Sequence, residues 1–190
     1  MENINTAQKK EVEDNGSIVV DENTIYKKYL SFMIDNEIFA LDALIVQEII
    51  EFSSVTRIPT VPNYIRGVTN LRGSIVPVID LSVRLGKRVA PKTNRTCIII
   101  VNVIDEGESL YVGILIDSIS EVFNIDENDI EPAPSFGAGI RADFIEGMGK
   151  IKDKFIVLLN QEKVLSIDEL SNFSNYSENI DAHSLETEKN

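Results

Sequence analysis

The chain has 190 residues, 43% of them hydrophobic, and a formal net charge of -13. That is enough for one or two small domains with a real core, and no apolar run nears the ~20 residues that a membrane span needs. Cys97 is the only cysteine, so an internal disulfide is excluded. The N-terminus lacks the apolar stretch of a secretory signal, and an intracellular chain is expected.

Residues 1–26 are polar, with six acids against Lys9 and Lys10. They read as a disordered acidic arm. In Tyr29–Asp35 the residues Leu30, Phe32 and Ile34 alternate with Tyr29, Ser31 and Met33, the period of a strand. Asp35-Asn36 is a turn signal and Ile38–Leu41 follows, so a hairpin is expected. Leu44–Glu48, Asn63–Arg66 and Leu81–Leu85 are candidates for single turns of helix. Pro77 interrupts an apolar strand and marks an edge or a bulge, because proline donates nothing to a ladder. Cys97–Ile104 is almost wholly apolar and β-branched and reads as a buried strand. Leu110–Ile116 returns as its partner after a turn at Asp105–Glu108. Asn160 can cap a last helix over residues 161–173, where Ser166-x-x-Glu169 has the capping-box spacing. Residues 174–190 read as a polar tail.

An internal repeat organises the rest. Ile65-Arg-Gly-Val-Thr-Asn-Leu-Arg-Gly-Ser-Ile-Val-Pro-Val-Ile-Asp80 aligns without a gap on Ile145-Glu-Gly-Met-Gly-Lys-Ile-Lys-Asp-Lys-Phe-Ile-Val-Leu-Leu-Asn160. Each copy reads as strand, tight turn, strand and a capping residue. A weaker match relates Val46-Gln-Glu-Ile-Ile to Ile119-Ser-Glu-Val-Phe. The expected architecture is mainly β: two tandem five-stranded barrels, the first over about 27–90 and the second over about 91–160, then a C-terminal helix. Closing a small sheet into a barrel hides its edges.

Charge is segregated. From Arg57 to Arg95 there are eight bases and one acid, Asp80; from Asp105 to Glu131 there are nine acids and no base. Such an asymmetry steers partners more than it stabilises a fold. Signs of catalysis are sparse. His183 is the only histidine and lies in the tail, which excludes an ordinary histidine-based triad in the core and a multi-histidine metal site. Cys97 begins an apolar run and reads as a buried structural thiol. There is no phosphate-binding glycine motif; Gly137-Ala-Gly139 reads as a loop. Asp126, Glu127 and Asp129 lack the spacing of a calcium loop. No cofactor or metal is expected.

The first copy of the repeat carries Asn70-Leu-Arg72-Gly73 where the second has Lys152-Asp-Lys154. Gly73 suits a tight turn with positive φ, which puts Arg72 at an exposed tip. Arginine there has two readings, an interface residue or a local salt bridge. Glu48, after Val46 and Gln47, reads on composition alone as an exposed polar residue on a half-buried element.

At these residues the sequence resembles the CheW-type coupling proteins of bacterial chemotaxis. The resemblance runs from about Tyr29 to about Leu170. It rests on Ala43-Leu-Ile-Val-Gln-Glu-Ile, Val55-Thr-Arg-Ile-Pro, Pro62-Asn-Tyr-Ile-Arg-Gly-Val-Thr-Asn-Leu-Arg-Gly-Ser-Ile-Val-Pro-Val-Ile-Asp-Leu, Val112-Gly-Ile-Leu-Ile-Asp and Ile145-Glu-Gly-Met-Gly. It implies two SH3-like barrels with a third apolar core between them and a non-catalytic cytoplasmic adaptor. The partners it implies are the helical tip of chemoreceptors and the regulatory domain of the histidine kinase CheA, in receptor arrays at the inner face of the membrane. The coupling residues it implies are Val46, Glu48 and Arg72, and Asn70 and Gly73 of the same turn are counted with them as candidate protein-binding residues. The acidic arm and polar tail are longer than the family leads one to expect. Two other classes remain as alternatives. One is a small-barrel nucleic-acid binder, disfavoured by the acidic whole and by a basic stretch with one aromatic, Tyr64. The other is a carboxylate-based hydrolase, which needs two converging acids.

Overall fold

In the computed structural model, residues 25–53, 55–105, 108–133, 140–151 and 154–165 are described. Most of the two predicted tails, the Gly137–Gly139 loop, the tip at 152–153 and the capping-box residues lie outside them. Ten strands, β1 (Tyr26–Ile34), β2 (Glu37–Asp42), β3 (Val46–Glu51), β4 (Ile65–Leu71), β5 (Ser74–Asp80), β6 (Cys97–Asp105), β7 (Glu108–Ile116), β8 (Ser118–Asp126), β9 (Ile145–Ile151) and β10 (Lys154–Leu159), form two five-stranded sheets. Sheet I has the order β8-β1-β2-β10-β9 and sheet II the order β3-β6-β7-β5-β4. The helices are α1 (Leu81–Arg84) and α2 (Gln161–Leu165).

The predicted hairpin is present. Asp35 and Asn36 take φ of 50 and 64°, the positive pair that a two-residue turn requires. Of the three single turns expected, Leu81–Arg84 is helical. The helix at Leu44–Glu48 shrinks to a 3-10 turn over Ala43–Ile45, capped by Asp42, and Val46–Glu48 already belong to β3. Residues 63–66 are a turn that runs into β4. Pro77 lies in β5, which is interior rather than an edge. The parallel pairing of β5 with β7 covers only Val78–Asp80, so the proline stands just beyond that ladder.

The repeat holds strand for strand: β4 and β9 start 80 residues apart, and so do β5 and β10. Asp80 N–H donates to the Tyr64 carbonyl at 2.7 Å, and Asn160 N–H to that of Phe144 at 2.8 Å. Asp80 caps α1 by accepting from Val83 N–H at 3.3 Å. Asn160, as predicted, caps α2 by accepting from Lys163 N–H at 3.1 Å.

The partition of the repeats differs from a sequential one. Sheet I joins β1 and β2 of the first repeat to β8, β9 and β10 of the second; sheet II joins β6 and β7 to β3, β4 and β5. The barrels therefore do not split at residues 90 and 91. The hairpins are exchanged. The crossing links are short and carry the chain straight across to the other sheet. The 3-10 turn Ala43–Ile45, capped by Asp42, links β2 to β3, and Asp117 alone links β7 to β8; neither third strand pairs with its own hairpin. The carboxylate of Asp117 accepts from Asp35 N–H at 2.8 Å, which fastens one crossing to the β1–β2 turn.

Alternation in each strand serves two different cores. Leu30, Phe32 and Ile34 of β1 and Ile99, Val101 and Val103 of β6 face a central cluster between the sheets. Tyr29 fills the interior of sheet I with Ile125, Ile156 and Leu158. Ile98 and Ile100 fill that of sheet II with Val76 and Val78. Each sheet then closes on itself through one bridge, Glu131 to Met148 in sheet I and Thr56 to Val68 in sheet II. The repeated glycines make this closure. A Cβ at Gly67 would stand 2.0 Å from the Thr56 carbonyl oxygen, and one at Gly147 2.9 Å from that of Glu131. Arg84 ties the halves together: its guanidinium lies 4.3 Å from the centre of the Tyr64 ring and 5.0 Å from that of Phe144. Its Nε donates to the Val164 carbonyl at 2.9 Å.

Candidate functional site

The hairpin of β4 and β5 presents the predicted tip. Leu71 pairs with Ser74, which leaves Arg72 and Gly73 as a two-residue turn. Their φ values, 54 and 93°, are both positive, the mirror-type turn that matches the twist of paired strands. Gly73 is there for its backbone alone, since a Cβ would meet nothing within 4 Å. Arg72 holds a conformation that costs a non-glycine residue roughly 1–2 kcal/mol. Asn70 supports it: its Oδ1 accepts from Gly73 N–H at 2.9 Å.

The local salt bridge of Arg72 is present: its Nη2 lies 2.9 Å from Oε2 of Glu48. Glu48 is on β3, at the opposite edge of sheet II, so the ion pair spans the seam of the barrel. Arg72 remains 79% exposed and Glu48 28%. An ion pair this open to solvent contributes at most about 1 kcal/mol. The tip therefore holds Arg72 in place while leaving most of its guanidinium to solvent.

Val46 does not join this group. The register of β3 against β6 shifts between Val46 and Glu48, with Gln47 as the extra residue. A bulge of this kind turns residues i and i+2 to opposite sides. Val46 pairs with Val101 and packs on the central cluster, whereas Glu48 pairs with Ile100 on the barrel side. The structure thus brings together Glu48, Asn70, Arg72 and Gly73, and sets Val46 on the reverse of the same strand.

Sequence reasoning missed the apolar rim. Ile75, opposite Asn70, is 41% exposed; Ile49 of β3 is 44% and Leu44, just before β3, 83% exposed. Strand alternation assigns such residues to a core; Ile49 stays outside on the edge strand β3, Leu44 in the turn before it and Ile75 beside the hairpin tip. Elsewhere the polar groups have structural roles. Asp126 Oδ1 accepts from Asn128 N–H at 2.9 Å and caps a turn. Burial pushes the Cys97 thiol above its ordinary pKa, opposed by a backbone hydrogen bond at Ile119. Burial likewise pushes the Tyr29 hydroxyl up to about 12. Among the described residues no helix is long and apolar enough to cross a membrane.

The fold and sequence match known proteins over this whole region. A family model of the CheW-like domain matches residues 28–169. The chain is 36% identical over 148 residues to the chemotaxis protein CheW of Klebsiella aerogenes, covering 78% of this chain and 87% of that one. It is 31% identical over 143 residues to the CheW of Rhizobium meliloti, covering 75% and 90%. Among solved structures, the scaffolding protein TtCheW of Thermoanaerobacter tengcongensis superposes with a TM-score of 0.64 at 39% identity, over 72% of this chain and 90% of that one. The repeat, the two closed sheets and this agreement lead to one conclusion: the chain belongs to the CheW family of chemotaxis scaffold proteins.

Proposed function

We propose that the chain is a cytoplasmic adaptor that couples chemoreceptors to the histidine kinase CheA and performs no chemistry of its own. The observation that carries this reading is the Glu48–Arg72 pair across the barrel seam. A charged tip held by a tight turn and rimmed by exposed apolar side chains is suited to protein contact. On this reading the helical tip of a receptor lies along β3, with Leu44, Val46 and Ile49 on one side and Glu48 and Arg72 on the other. The kinase regulatory domain docks on a separate surface, barrel against barrel, and the adaptor holds the two in fixed register at the inner face of the membrane.

The test is calorimetric titration of the full chain and its Arg72→Glu variant with a receptor signalling fragment and, separately, with the CheA regulatory domain. Receptor affinity is expected to fall about tenfold or more, the effect of losing an interface arginine worth over 1.4 kcal/mol. Kinase affinity is expected to stay within about twofold. Unchanged receptor affinity removes Arg72 from the interface, and failure of the parent to bind either partner removes the coupling role.

A further inference from the structure

Three cations of the basic stretch, Arg57, Arg66 and Lys92, come together beside sheet II. Lys92 Nζ lies 3.6 Å from the centre of the Phe52 ring. Its ammonium titrates below the ordinary value, first through burial and then through the charges of Arg66 and Arg57, against the pull of Asp80. Asp80 is itself engaged, capping α1 and lying 3.9 Å from Arg66. Neither Arg57 nor Lys92 has an ion-pair partner among the described residues. Beside them runs an open groove of about 220 Å³, lined by Arg57, Ile58, Val61, Pro62, Asn63, Ile65 and Arg66. Arg57 and Arg66 flank a groove whose exposed lining is more polar than apolar, with Ile58 and Val61 half-buried in it, which suits an acidic peptide that carries a few apolar side chains.

Such a peptide leaves the fold close by. Tyr64 sits within the groove-lining run, and its ring stacks on Arg84, whose Nε donates to the Val164 carbonyl at 2.9 Å. The described residues stop one residue later, at Leu165 of α2. Residues 166–190 then hold six acids (Asp168, Glu169, Glu178, Asp181, Glu186, Glu188) against Lys189, a charge of -5, interspersed with Ile167, Leu170, Phe173 and Ile180. Fully extended, 25 residues reach roughly 80 Å, far more than the groove requires. The N-terminal segment is also acidic but joins the fold elsewhere. Ile25 bonds to Glu127, and Lys27 there already pairs with Glu127 and Glu146.

We propose that the acidic segment 166–190 folds back onto the groove between Arg57 and Arg66 and covers it by charge and apolar contact. An acidic partner must displace this segment before it uses the same face. The inference stands on the groove, the charges and the exit of the chain, and is independent of receptor coupling.

Paramagnetic broadening tests it on the full chain. A spin label is attached at Ser184→Cys in a Cys97→Ala background, and amide signals are compared at low salt and in about 1 M salt, where the screening length is about 3 Å. At low salt Ile58, Val61, Asn63 and Ile65 are expected to lose more than half their intensity. They are expected to recover it in high salt and in the Arg57→Glu, Lys92→Glu double variant. No loss at low salt overturns the proposal. So does loss that persists in high salt or in the double variant, loss centred on Ile25–Lys28 instead, or equal loss when label and observed amides are on different molecules.

Discussion

Gly67 and Gly73 stand six residues apart in one hairpin, yet alanine at each should act through different physics. At Gly67, φ is 137°, and a Cβ would lie 2.0 Å from the Thr56 oxygen, 2.7 Å from its carbonyl carbon and 3.0 Å from the Cα of Arg57. All three atoms are backbone, so no side chain can swing away. The bridge that closes sheet II has to open, and with it the two hydrogen bonds between Thr56 and Val68, each 2.8 Å. At about 1 kcal/mol each, plus about 1–3 kcal/mol for a conformation that only glycine accepts readily, Gly67→Ala should cost about 3–5 kcal/mol. That is a large part of the 5–15 kcal/mol typical of a folded domain. At Gly73, with φ 93° and open space beyond, only the backbone term applies, about 1–2 kcal/mol. Gly147 has no positive φ, and its nearest neighbour, Ile130 Cγ2 at 2.5 Å, is a side chain that can yield, so alanine there should fall between. Urea unfolding followed by circular dichroism measures all three. With a slope of about 1–3 kcal/mol per molar, Gly67→Ala should lower the midpoint by about 2 M. If Gly67→Ala lies within about 1 kcal/mol of the parent, or Gly73→Ala costs as much, the account of barrel closure is wrong.

Two further outcomes follow from the capping and junction residues. Burial raises the Asp80 carboxyl above 3.8, against the opposing Val83 and Arg66 contacts. The native state therefore binds this proton more readily than the unfolded chain, and its contribution to stability falls as pH rises from 3.8 through the raised native value. Asp80→Asn copies the cap that Asn160 provides in the second repeat; it should match or exceed the parent at neutral pH and lose that advantage under acid conditions. A loss at neutral pH as large as that of a missing cap, about 1 kcal/mol, would contradict this, and thermal melts across the pH range decide. Arg84→Ala should lower stability by about 2–3 kcal/mol, since it removes two ring contacts and the donor to α2. Amide exchange should then rise first in Gln161–Leu165, and uniform exchange across both sheets would refute that localisation.

Much of the architecture was legible because local chemistry and fold agree. Asp35-Asn36, Arg72-Gly73 and Asn160 each act through bonds within a few residues, and sequence shows such bonds. The repeat was legible because Gly67 and Gly147 answer the same close approach of backbone. The exchange of hairpins was not, since β1 shows the same alternation whichever triplet it pairs with. The candidate site divides in the same way. The turn gave away Arg72 and Gly73, but the partnership with Glu48 depends on two sheet edges meeting, and the separation of Val46 depends on a bulge at Gln47. Pro77 misled because a proline can sit inside a sheet where one ladder has not yet begun.

The exchanged hairpins also bear on synthesis. Tyr26 pairs with Asp126 across 100 residues of chain, and β2 takes its parallel neighbour from Val157 and Leu158. On the ribosome the first hairpin must wait, with Phe32 and Phe39 unsheltered, until almost the whole folded region has emerged, whereas β3 to β7 form a contiguous stretch that can assemble earlier. Long-range pairing of this kind slows folding and leaves apolar surface open to other chains in the interval. A nascent chain whose residues up to about 120 have emerged from the ribosome should therefore hold sheet II and a dangling hairpin, a natural substrate for chaperones.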